Sequence, residues 1–92
     1  MRAVLRAYFQ LDEHPEVSAV AEVAVEPAAG EPVDSARARQ LVTATRSVPE
    51  AVERLEAELL VDFEQGRLTP VAGWQLARLE AELLTLVWAT GA

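Results

Sequence analysis

Arg54-Leu55-Glu56-Ala57-Glu58-Leu59-Leu60 recurs, residue for residue, at Arg78-Leu79-Glu80-Ala81-Glu82-Leu83-Leu84. Each copy sits in a pattern of helical period, and Gly66-Arg67-Leu68-Thr69-Pro70 is the break between the two patterns. Gly66 can take the left-handed conformation that ends a helix, while Thr69-Pro70 supplies a cap and a first-turn proline. Ser47-Val48-Pro49-Glu50 combines a cap, an early proline and a capping-box glutamate, so it starts the earlier helix. The C-terminal half therefore predicts an antiparallel helical hairpin over residues 48–65 and 70–89. In a chain rich in Ala, Leu, Glu and Arg, the repeat marks two helices of like grammar. Two units fall short of a solenoid, which needs at least about three.

Upstream, Asp34 or Ser35 caps a shorter helix over residues 34–46, with Ala38, Leu41, Val42 and Thr45 on its inner stripe. Pro27-Ala28-Ala29-Gly30-Glu31-Pro32 reads as a loop. Residues 2–11 alternate, with Ala3, Leu5, Ala7, Phe9 and Leu11 on one face, and residues 17–26 alternate likewise. Pairing Leu11 with Val17 across Asp12-Glu13-His14-Pro15-Glu16 sets Arg6 opposite Glu22, Arg2 opposite Glu26, Leu5 opposite Val23 and Phe9 opposite Ala19. The alternative for the Ala-rich residues 19–24 is helix. The expected fold class is α+β in one 92-residue domain: an N-terminal antiparallel β-hairpin over 2–26, then three helices, in the order ββααα.

On a helical wheel, the segment 70–89 has a narrow polar stripe of Gln75, Arg78, Glu82 and Thr85. The remainder is an apolar arc of roughly 240°. Leu76, Leu79, Leu83 and Leu86 make one seam in it; Trp74, Ala77, Ala81, Leu84 and Trp88 make the other. Two strands and two further helices offer little to cover such an arc, which points to a homodimer. The same residues could instead line an apolar ligand pocket near Trp74, Trp88 and Glu80. Glu80 is an acid within the apolar arc. Its usual explanation is an ion pair with Arg37, Arg39 or Arg46.

Charge excludes more than it assigns. The chain carries a net charge of −7. The acids concentrate in residues 1–33 (six acids, two Arg) and 48–66 (six acids, one Arg). This balance argues against nucleic acid and anionic membrane, which need a basic surface. It permits a basic protein partner, steered by Glu50, Glu53, Glu58 and Glu64. The absence of Lys, Ile and Asn matches a GC-rich coding bias, so the all-Arg basic set is not read as phosphate recognition. No cysteine is present to form a disulfide or thiolate site. Neither a signal-peptide core nor an apolar run of about 18 residues appears, so a cytoplasmic protein is expected.

Catalytic patterns are thin. His14, the only histidine, lies in a turn; Ser18, Ser35 and Ser47 have no activating partner motif, and the glycines are isolated. No cofactor, metal or catalytic residue is assigned. The sequence supports a non-catalytic acidic protein-binding module of accessory, inhibitory or antitoxin-like kind, with a small-ligand binder as the alternative.

Overall fold

The computed structural model describes residues 1–25, 35–71 and 74–92, of which 23–25, 71 and 74 are described by their backbone alone. Their elements run α1 (Arg2–Phe9), α2 (Glu16–Val25), α3 (Ala36–Thr43), α4 (Val48–Glu64), β1 (Leu68–Val71), β2 (Trp74–Ala77) and α5 (Arg78–Thr90). Helices come first, and the strands fall in the C-terminal half. The expected order ββααα is thereby overturned at both ends.

Residues 2–25 form two helices in place of a β-hairpin because the segment satisfies both periods. Val4, Leu5, Tyr8 and Leu11 recur at helical spacing; Val4, Leu5 and Leu11 are buried and Tyr8 packs against the core. Ala, Leu and Arg are also strong helix formers. α1 ends at Gln10 in the left-handed conformation, with the Gln10 N–H donating to the Ala7 carbonyl (3.3 Å) and the Leu11 N–H to the Arg6 carbonyl (3.1 Å). Arg6 pairs with Asp12 in the following turn, not with Glu22 across a ladder. In α2, Val17 and Ala21 are one turn apart and face inward, Ala21 fully buried. The proposed partners Val23 (side chain) and Glu26 lie outside the described residues, as do the loop at 27–32 and Asp34.

α4 starts with Ser47 accepting from the Glu50 N–H (3.2 Å), while the Glu50 carboxylate accepts from the Arg46 N–H (3.0 Å). Both bonds satisfy donors that a helix start leaves without partners. Its end is a Schellman turn: Gly66 has φ 69°, its N–H donates to the Phe63 carbonyl (3.2 Å), and the Arg67 N–H donates to the Asp62 carbonyl (2.8 Å). The chain then enters a β-hairpin, where a helix over 70–89 was expected. Leu68 pairs with Ala77, Thr69 with Leu76, Pro70 with Gln75 and Val71 with Trp74. Pro70 is tolerated because each strand of a two-stranded sheet is an edge. The helix begins only at Arg78, so the two heptapeptides are separated by a β-hairpin and not by a helix–helix turn.

α5 lies against α1, α2, α3, α4 and both strands. Leu79, Ala81, Leu83, Leu84, Leu86 and Val87 are all buried, and Leu76 of β2 packs on the same core. These leucines and Val87 are enclosed by the chain itself, because two helices stand where two strands were expected, while Trp88 of the same arc stays exposed. Among its described large apolar side chains α5 leaves only Trp88 exposed, which is no broad face for a dimer.

Candidate functional site

Asp62 is 0% exposed although it is a carboxylate on α4. Such a group persists inside a fold only when its oxygens are bonded and its charge opposed. Arg37 of α3 meets it with a two-pronged contact, Nη2 to Oδ1 at 2.9 Å and Nη1 to Oδ2 at 3.1 Å. Arg67, presented by the Schellman turn, adds Nε to Oδ1 at 2.9 Å. The Leu79 N–H, in the first turn of α5, donates to Oδ2 at 2.8 Å. Asp62 thus caps α5 through space, a role its own N-cap residue Ala77 cannot fill. Burial alone would raise the Asp62 pKa. The hydrogen bonds from Arg37, Leu79 and Arg67, together with the Arg37 charge, outweigh that and hold it below the ordinary carboxylate range.

Glu82 repeats the device. Ser35 makes no side-chain cap for α3, and the buried Glu82 carboxylate accepts instead from the Ala38 N–H (3.3 Å). Its other oxygen lies 4.0 Å from Arg37 Nη1, and Glu58 Oε2 lies 3.3 Å from Arg37 Nη2. Glu58 and Glu82 hold equivalent places in the two heptapeptides, and both converge on Arg37. The hydrogen bond to Asp62 comes first among the causes that raise the Arg37 pKa. This cluster, centred on the buried Asp62 and Glu82, joins α3, α4, α5 and the base of the β-hairpin, so its chemistry is structural. It also ties Glu58, expected on the acidic partner surface, to Arg37. Sequence reasoning missed Asp62 and placed Glu82 on the narrow polar stripe of the last helix, without a partner. The signal for Asp62 was its place on the α4 wheel among Ala51 and Leu55, an acid on the inner face.

Glu80 and Glu56, the other equivalent pair, both act on Tyr8. Burial and the charges of Glu80 and Glu56 push the Tyr8 hydroxyl up to about 12. Glu80 is half-buried, and burial pushes its own carboxyl up. Arg37 serves Asp62, Glu58 and Glu82, so the expected Arg37 partner of Glu80 is already committed. A raised folded-state pKa means that ionised Glu80 opposes folding at neutral pH, and the penalty shrinks as the pH falls through that value. Glu80→Gln is therefore expected to raise the melting temperature by up to a few degrees at pH 7, with the gain vanishing in mild acid. Thermal melts at the two pH values check this. A lower melting temperature for the variant at pH 7 would show a cation serving the carboxylate in solution.

The solvent face of α4 carries the remaining acids. Glu50, Glu53, Glu56 and Glu64 are exposed along it. Between them stand Leu60, 63% exposed, and Phe63, 50% exposed, one turn apart. Leu68, past the Schellman turn, is a further exposed apolar side chain. Glu56 belongs to this stripe, beside Leu60 and Phe63.

Of the residues proposed to line a pocket, Leu79, Leu83, Leu84 and Leu86 are core, and Leu76 is partly buried against it. Trp74 belongs to β2, and its side chain lies outside the described residues. Trp88 is 55% exposed and lines a cleft with Ser18, Glu22, Val87, Gly91 and Ala92, away from Glu80. His14 sits in the turn between α1 and α2, with Nδ1 3.3 Å from Glu16. Among the described residues, no group of three His, Cys, Asp or Glu side chains is placed to hold a metal ion. Nor is any described helix long and apolar enough to cross a membrane. No protein-family model, curated protein or solved structure matches the chain.

Proposed function

We propose that this chain is a cytoplasmic, non-catalytic protein-binding module that docks a basic partner on the outer face of α4. The observation that carries this reading is the juxtaposition there of Leu60 and Phe63 with Glu50, Glu53, Glu56 and Glu64. Exposed large apolar side chains one turn apart supply buried area on association, at about 25 cal/mol per Å² of apolar surface removed from water. The surrounding carboxylates steer a cationic surface into place and repel an anionic one. A second copy of the same face would set glutamates against glutamates, so the stripe fits a different, basic protein. Arg54 lies at the edge of the stripe, outside its acidic centre.

Two double variants test the reading by different routes. Leu60→Ser/Phe63→Ser removes the apolar anchors, and Glu53→Arg/Glu64→Arg reverses the steering charge. All four positions are solvent-exposed, so both variants are expected to melt close to the wild type. Each is expected to lose a basic protein that the wild-type chain retains from cell extract and releases at high salt. The reading fails if both variants, folded, retain the same proteins as the wild type.

A further inference from the structure

We propose that the cleft at the C-terminal end of α5 binds a small organic cation, an alkylammonium head group seated between the Trp88 indole and the Glu22 carboxylate. Three features of different origin converge there. Trp88 is 55% exposed, an unusual position for the largest apolar side chain, and its indole forms part of the cleft wall. The indole face is the side-chain surface that attracts cations most strongly. Ser18 and Glu22 stand one turn apart on α2 and form part of the cleft lining. Among the described residues, no cation pairs with Glu22. The cleft also sits at the end of α5 where helix carbonyls leave a partial negative charge, and the last turn of α5 contains no basic residue.

The structure already holds one guanidinium at that end. Arg2 Nη2 donates to the Gly91 carbonyl at 3.1 Å. This contact satisfies one terminal carbonyl, and Glu22 remains on the α2 side of the cleft. Size narrows the ligand further. The cleft has a volume of about 220 Å³, below the roughly 300 Å³ at which pockets for drug-sized ligands begin. It fits a head group or the end of a side chain.

The test follows the Trp88 indole N–H by ¹H–¹⁵N correlation during titration with tetramethylammonium chloride, Nα-acetyl-lysine methylamide and 3,3-dimethylbutan-1-ol, an uncharged alcohol with a tert-butyl group of similar size and shape to tetramethylammonium. The two cations are expected to move the Trp88 signal saturably, while the Trp74 signal stays in place. The cations are expected to bind at least roughly three-fold more tightly than the alcohol. The Glu22→Gln variant is expected to weaken cation binding and narrow that preference while melting like the wild type, since Glu22 is exposed. Tighter binding of tetramethylammonium assigns the group to a free small molecule, and tighter binding of the lysine amide assigns it to a peptide side chain. The proposal is overturned if the cations leave the Trp88 signal unmoved, if the alcohol binds as well as they do, or if Glu22→Gln changes nothing. The α4 surface takes no part in this readout, so failure here leaves the protein-binding reading untouched.

Discussion

Asp62→Ala is expected to destabilise the fold by about 3 kcal/mol, toward the lower end of the 3–5 kcal/mol typical for breaking a buried ion pair. The variant strands the Leu79 N–H, which lies 2.8 Å from Asp62 Oδ2 and loses its acceptor at the start of α5. Arg37 is better placed, because Glu58 at 3.3 Å and Glu82 at 4.0 Å still oppose its charge. Arg67 has a 46% exposed side chain and can turn to solvent. The cost therefore falls mainly on the α5 cap and on the desolvated side of Arg37. Against a total stability of roughly 5–15 kcal/mol for such a domain, this is a large share. Urea unfolding gives the value as a fall in midpoint at unchanged slope. A change below about 1 kcal/mol would mean that Asp62 does not hold these partners in solution.

Asp62→Asn separates charge from shape. The amide keeps one acceptor oxygen and places its two N–H donors where Arg37 and Arg67 already donate, so most of the loss is expected to remain. The pH dependence follows with a definite sign. The Asp62 pKa is depressed in the fold, so its stabilisation is complete above the ordinary carboxylate value near 4. It is lost as the pH falls from there through the depressed value. The acid limb of the stability profile is expected to flatten in Asp62→Asn. Glu80 acts in the opposite sense, losing its penalty as the pH falls, so the two carboxylates shape opposite limbs of one profile.

What the sequence made legible was local. The start of α4 depends on a hydroxyl, a proline and a glutamate within four residues, and its end depends on one glycine with positive φ. No distant contact can easily override such signals. Residues 2–11 offered no comparable punctuation, since ten residues rich in Ala and Leu satisfy an alternating and a helical period together. The apparent Arg6–Glu22 and Leu5–Val23 register was internally consistent and still described a fold the chain does not adopt. Propensity favoured helix, and α5 supplied the surface on which α2 packs. The C-terminal β-hairpin was hidden by the opposite error. Trp74, Leu76 and Ala77 continue the wheel of α5 so well that the helical period masked the strand they belong to. For the candidate surface, three of the four acids assigned from charge alone face solvent on α4. The apolar anchors were not legible, because Leu60 reads the same as Leu84.

That equivalence yields the second large expected effect. Leu84→Ala is expected to cost about 2–5 kcal/mol, and Leu60→Ala no more than about 0.5 kcal/mol, although the two leucines end identical heptapeptides. Leu84 is 3% exposed in a helix covered by four others and the β-hairpin, so truncation leaves a cavity whose walls relax only in part. Leu60 is 63% exposed on the one face of α4 that no described element covers, so truncation removes contact mainly with water. Nothing in the seven residues distinguishes them; the β-hairpin between the copies does, by turning the second into the centre of the fold. Paired urea titrations of the two variants measure the contrast directly. Equal costs would mean that Leu60 is buried in solution by a second molecule of the chain, and the apolar stripe of α4 would then be a self-association surface. A cost confined to Leu84 leaves Leu60 free of any structural duty, and an exposed leucine with no structural duty, set among four carboxylates, is the feature a basic partner would recognise.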